Sequence, residues 1–387
     1  MRVLRWRAAR LALGTTVGLG FGRFAYGLVL PSMAAQLHWT LAEAGLLTTA
    51  NGLGYLLGAA GTASLARRYG VTSIFRLGMV VCCLALGMMG FSTHYEVLLA
   101  ARALAGLGGA FVFIAGAVIC RSPVFFAGTG MGIVVSGVCV PAVVAQHPER
   151  WPLVWLGFAT LSTAATLLAW SAAAEDRSAR VASRMQWQLR QLGIIGVAYF
   201  LFAVGYIAYI TFLGVLLQER GEILTTSILV WSLLGTAVLV SPVLLRPLER
   251  WAPESRLTAV LVGLSFSAGL LLLSQQTVVL LVSVVGYGVT FMAVPAAVAA
   301  VVHDAVSPGA VAGAMGGLTV VFAAGQGLGP WLAGLLADQT SSLATVTFTC
   351  VLCAVAAAVA AVGAQRVTRT GNASAGARTG GAPEIPR

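Results

Sequence analysis

The chain has 387 residues, of which 59% are hydrophobic and only 9% charged, and it carries a formal net charge of +11. A positive mean hydropathy over that length excludes an ordinary soluble domain. The charge does not suit nucleic acid either, because the basic residues, all arginine, are sorted to one side of a series of apolar spans. The reading is an all-α polytopic membrane protein with twelve transmembrane helices in two parallel six-helix repeats.

The predicted spans begin near residues 11, 43, 73, 96, 124, 152, 190, 224, 257, 277, 310 and 342. Span one holds Gly18-Leu-Gly-Phe-Gly-Arg23-Phe-Ala-Tyr26. At 1.5 Å per residue, Arg23 lies roughly 18 Å into a hydrocarbon core about 30 Å thick. An arginine at a helix centre costs roughly 2.5–3.5 kcal/mol by insertion scales, so it is kept where it faces protein or water and has something to bind. No acidic residue falls at that depth. Its expected companions are neutral: Tyr26 one turn on, Asn51 in span two, Tyr206 and Tyr209 in span seven, and Gln326 in span eleven. Together with Arg23 these are the predicted substrate-binding residues. A guanidinium with no buried counter-charge favours an anion, which it can hold through two parallel hydrogen bonds.

Further along, Glu43 opens span two and Glu222 opens span eight. An acid in a first helical turn is stabilised by roughly 0.3–1 kcal/mol through the helix dipole, yet their matching places make both candidates for proton coupling. Arg67 and Arg68 close span two on the inner side, Arg102 lies about two turns into span four, and Asp304 sits beside His303 at the inner end of span ten. These are the coupling or gating candidates. The six cysteines all fall in apolar spans, and Cys350-Val-Leu-Cys353 reads as packing rather than a metal or redox pair. The histidines are scattered near span ends without catalytic or ligand spacing, so neither an enzyme nor a cofactor is expected.

The polar segment 175–189 divides the chain into an N-terminal half, 1–174, and a C-terminal half, 190–366. A tail, 367–387, rich in Gly, Ala, Thr and Pro, is expected to be disordered. With the N-terminus inside, only Arg150 and Arg220 fall outside, so both termini are placed in the cytoplasm. Internal matches support the division. Gly22-Arg-Phe-Ala-Tyr26 returns as Gly205-Tyr-Ile-Ala-Tyr209, Gly106-Leu-Gly108 as Gly286-Tyr-Gly288, and Ala127-Gly-Thr-Gly-Met-Gly132 as Ala312-Gly-Ala-Met-Gly-Gly317, at nearly one offset of about 180 positions. Six spans per repeat means parallel halves, with spans one, four, seven and ten lining a central cavity.

The Gly-Phe-Gly-Arg23-Phe-Ala-Tyr26 block with Leu30-Pro31, together with Ala198-Tyr-Phe-Leu-Phe-Ala-Val-Gly-Tyr206-Ile-Ala-Tyr-Ile-Thr-Phe-Leu213, resembles the YbfB/YjiJ-like branch of the major facilitator superfamily. The resemblance implies a bacterial inner-membrane secondary transporter working by alternating access, with a small-molecule substrate, protons as coupling partner, a bilayer around it and a monomeric state. It also implies a gating role for the loop after span two, where Ala63-Ser-Leu-Ala-Arg67-Arg68-Tyr-Gly70 has arginine in place of the family's aspartate, and a coupling or positioning role for Arg102 in Arg102-Ala-Leu-Ala-Gly106. Export of apolar or aromatic compounds and a non-transporting sensor are the alternatives.

Overall fold

The computed structural model describes residues 2–120, 123–173, 189–306 and 311–379, and among these every regular element is helical. The first helix, α1, has three consecutive parts: α-helical Arg2–Thr15, π-helical Thr16–Phe24 and α-helical Tyr26–Leu37. After it come α2 (Leu41–Tyr69), α3 (Val71–Phe91), α4 (Tyr95–Ile119), α5 (Pro123–Val144) and α6 (Trp151–Ala172). The second group is α7 (Leu189–Glu219), α8 (Leu224–Leu244), α9 (Pro253–Leu273), α10 (Thr277–Ala305), α11 (Val311–Gln339) and α12 (Leu343–Thr379).

Eleven of these are apolar enough along their length to read as spans without further argument. The exception, α2, has 29 residues and would cross a bilayer easily, but threonine, Asn51 and repeated glycine dilute its hydropathy. Those small residues are what let it pack closely on two neighbours, α4 and α11. Most of the expected linker 175–189 lies outside the described residues. Disorder was expected from 367; α12 runs through Thr379, and residues 380–387 lie outside the described residues.

The packing pattern repeats. In the first group α1 packs on α5 and α6, α2 on α4, and α3 on α4 and α6; six helices later α7 packs on α11 and α12, α8 on α10, and α9 on α10 and α12. The two groups meet where α1 lies on α7, α2 on α11 and α5 on α8. Helices α3, α6, α9 and α12 turn large apolar side chains outward, among them Leu84, Leu167, Phe266 and Val351. An apolar exterior of this kind fits lipid, not water.

The bundle has two distinct ends. At the near end, where α1 begins, Arg7 and Arg10 donate to the Ala172 and Leu168 carbonyls at the close of α6. At the far end α1 stops at Leu37, and α2 begins under a capping box in which Thr40 accepts from the Glu43 amide at 3.1 Å while Glu43 Oε2 accepts from the Thr40 amide at 2.8 Å. Asp338, from the last turn of α11, reaches across to the same helix start. Its two oxygens accept from the amides of Leu41 at 2.6 Å and Ala42 at 2.8 Å. Close backbone contact seals the rest of that end: a Cβ on Gly45 would run into the Pro330 carbonyl, and one on Gly27 into the Ile210 carbonyl. At these two positions only glycine permits the approach.

Candidate functional site

The far-end seal leaves a cavity of about 530 Å³ between the two helix groups, running from Arg23 toward the near end and reaching Arg67 in the last turn of α2. Helices α1, α2, α4, α7, α10 and α11 all contribute walls. Among the described residues, the only charged ones on its lining are Arg23 and Arg67.

Arg23 comes from the π-helical part of α1, where all nine residues are buried. Such widened turns are rare and concentrate at functional sites, and here three glycines, Gly18, Gly20 and Gly22, accommodate it by letting α4 and α5 come against the same stretch. Arg23 is only 6% exposed. One terminal nitrogen donates to Gln326 Oε1, across the junction between the two helix groups. Its guanidinium carbon lies 5.3 Å from the centre of the Tyr55 ring. Its Nε has no partner. Gln326, fully buried, also accepts from the Tyr206 hydroxyl at 3.0 Å, while its Nε2 has no partner. The Arg23 side chain thus carries an unsatisfied buried donor while lining a cavity, a costly condition that a bound acceptor would relieve, whereas Gln326 lies off the lining.

The wall opposite Arg23 is aromatic. Tyr199, Phe202 and Tyr206 fall on one face of α7 through their three- and four-residue spacing, and Phe322 of α11 lies against all three. Tyr206 was expected at the site, whereas Phe202 and Phe322 were not. The α7 spacing was the available signal, but phenylalanine in an apolar span carries no local mark of facing a cavity.

Other expected residues lie behind the cavity. Arg102 is 1% exposed. Its Nη1 donates to the Gly22 carbonyl at 2.7 Å, its Nε donates to the Leu47 carbonyl at 3.3 Å, and its guanidinium sits 4.6 Å over the Tyr26 ring. Asn51 donates to the Gly22 and Arg102 carbonyls at 3.2 and 3.1 Å, and the Tyr26 hydroxyl to the Ala44 carbonyl at 2.9 Å. Arg102, Asn51 and Tyr26 therefore form one knot joining α1, α2 and α4. In the second group the Tyr209 ring stacks on Tyr287 at 4.0 Å and its hydroxyl bonds Ser283 at 2.9 Å. The structure brings Arg23, Tyr206 and Gln326 together, with Arg23 and Tyr206 on the cavity lining, and keeps Gln326, Tyr26, Asn51 and Tyr209 off it.

The coupling and gating candidates sit at the ends. Arg67, at the cavity mouth, donates to Ser64 at 3.1 Å, and Arg68 lies over Tyr69 at 5.3 Å. Asp304 is exposed near the end of α10. Glu43 and Glu222 are not equivalent in position: Glu43 is the third residue of α2, inside its capping box, whereas Glu222 precedes the α8 cap residue Ile223 and accepts from Thr277 at 3.3 Å. The turn at Gly221, with φ of 65°, takes Glu222 out of the helix.

No curated protein sequence matches the chain. A family described as the uncharacterised MFS-type transporter YbfB matches residues 15–365. Among solved structures, the nucleoside transporter NupG is similar with a TM-score of 0.68 and 16% identity, over 92% of this chain and 98% of that one. A point mutant of NupG aligns with a TM-score of 0.69 and 14% identity, over 92% and 99%. At such identity the likeness concerns the fold: two helix groups facing each other across a cavity, as described above. The chain belongs to the YbfB family of MFS-type transporters, and it is a multi-pass membrane transporter with the major facilitator fold.

Proposed function

We propose that the protein is a secondary active transporter that carries a small organic anion, a carboxylate, across the bacterial inner membrane by rocking its two halves, 1–174 and 190–366, about the cavity. The observation that carries this reading is Arg23: a deeply buried guanidinium lining the cavity, paired with a neutral amide, with an unsatisfied Nε. Arg23, Tyr206 and Gln326 are the proposed substrate contacts. Tyr26, Asn51 and Tyr209 hold the helices behind them, with Arg102 positioning α1. Arg67, Arg68 and Asp304 are the proposed gating charges of the near end.

Because the arginine bias lies on the side of the termini, the near end is the proposed cytoplasmic one and the cavity opens inward. Reporter fusions at Gln146 and Trp251 should report opposite sides. Proton movement is the proposed driving force, with Glu43, Glu222 and Asp304 as the acidic candidates. A role for Glu43 requires release of its capping box.

Uptake of labelled carboxylates into proteoliposomes, with and without an imposed pH gradient, tests the reading. The expected result is gradient-dependent carboxylate flux that a protonophore removes and that Arg23→Ala abolishes. Flux in the wild type alone but without gradient dependence would retain the substrate and overturn the coupling. A second reading, transport of an uncharged ring compound such as the nucleosides in NupG's name, is favoured by the aromatic wall; it requires flux of an uncharged substrate that survives Arg23→Ala.

A further inference from the structure

The cavity is walled by more aromatic rings than a general carboxylate site needs. Tyr199, Phe202, Tyr206 and Phe322 stack on one another with ring planes meeting at 6° to 26°. Such stacking is not peculiar to this wall, since Phe21 and Phe158 stack at 12°. What sets these four apart is that all of them border the cavity, whose other walls carry Phe24, Tyr55 and Phe291.

At the closed end of the same cavity stands Arg23, with Gln326 behind it, off the lining. The cation and the aromatic wall are contiguous, because Tyr206 links them: its hydroxyl bonds Gln326, the partner of Arg23, and its ring stacks on Phe202 at 4.7 Å. A ligand that satisfied both would have a carboxylate at one end and a planar ring at the other. A space of about 530 Å³ admits one or two fused rings with a short acid arm, within the usual range for small-ligand pockets.

We infer that the substrate class is aromatic carboxylates: the acid group accepts from Arg23, and the ring packs among Tyr199, Phe202, Tyr206 and Phe322. This rests on the carboxylate reading above and sharpens it. In this arrangement Arg23 sets specificity for the acid and Phe322 for the ring. An uncharged ring leaves the Arg23 charge unmatched, and a saturated ring lacks the π-face that stacks on these side chains.

Binding of four probes to the purified full-length protein tests the inference: benzoate, 2-naphthoate, cyclohexanecarboxylate and benzamide. The two aromatic acids should bind about three- to tenfold more tightly than cyclohexanecarboxylate, the range that one aromatic contact supplies. Benzamide should bind more weakly than benzoate. Phe322→Leu should bring benzoate down to the affinity of cyclohexanecarboxylate while leaving the latter within about twofold, an effect that loss of folding cannot mimic. Equal binding of benzoate and cyclohexanecarboxylate would overturn the aromatic assignment and leave the carboxylate reading standing. Benzamide binding as tightly as benzoate, or no binding by any acid, would overturn both.

Discussion

The two helix groups use the same places for different chemistry. In the first, α1 and α4 meet through a cation: Arg102 over the Tyr26 ring, with Nε and Nη1 donating to main-chain carbonyls and Nη2 without a partner. In the second, α7 and α10 meet through neutral rings, Tyr209 on Tyr287, with Ser283 taking the hydroxyl. The cavity repeats the contrast, since its charge comes from the first group and its stacked aromatic face from the second. The difference teaches that a duplicated scaffold can divide recognition, one half supplying charge and the other shape. It also separates two buried arginines of unlike duty: each keeps one unpartnered donor, but Arg102 donates otherwise to backbone off the cavity, whereas Arg23 pairs with a side chain and lines the cavity.

The largest expected effect breaks the knot of the first group. Arg102→Ala strips donors from the Gly22 and Leu47 carbonyls in a buried setting, which should lower stability by about 2–4 kcal/mol. Thermal unfolding in detergent measures it, and an unchanged melting temperature would mean the knot is ornamental. Arg23→Ala sharpens the contrast from the other side. Carboxylate affinity should fall about 10- to 100-fold, the worth of charge-assisted hydrogen bonds, with melting changed far less than by Arg102→Ala. Arg23→Lys should recover only part of the affinity, because an ammonium lacks the planar fork.

Smaller effects test how the groups meet. Gly45→Ala places a methyl against the Pro330 carbonyl and should disfavour the sealed far end by about 1–2 kcal/mol, as overpacking does. A cysteine at Thr48, buried beneath that seal, should then become more reactive to a water-soluble thiol reagent than in the parent; equal labelling would remove the seal from the account. The smallest effect comes from the neutral knot. Tyr209→Phe should cost about 1 kcal/mol of stability through the lost bond to Ser283 and change ligand affinity by less than about threefold. A tenfold loss would place the Tyr209 ring in contact with substrate.

The spans and the burial of Arg23 were legible from sequence because hydropathy and charge act locally along the chain. The role of Arg102 was not. Whether an arginine two turns from a helix end reaches for the interface or turns inward depends on acceptors at Gly22 and Leu47, and those arrive only when α1 and α2 pack. The tyrosines misled in the same way: Tyr26 and Tyr209 share a motif with Arg23 and its counterpart region, yet the turn from π- to α-helical geometry after Phe24 directs Tyr26 toward Arg102 and α2. Phe322 carried no sequence signal because its meaning lies in an angle to rings on another helix. The matched offset of Glu43 and Glu222 was real as spacing, but Gly221 ends the resemblance before α8 starts.

Two devices hold the far end shut, and water treats them differently. The Asp338 oxygens on the Leu41 and Ala42 amides are near the surface, so on separation solvent can replace each bond almost one for one, and the net loss is small. The contacts of Gly27 and Gly45 with opposing carbonyls have no such substitute, since parting them first creates a gap too narrow for water and forfeits the packing. Opening from that side is therefore like lifting a catch before breaking a seal: the carboxylate lets go early and cheaply, and the resistance lies in the glycine seam beneath it.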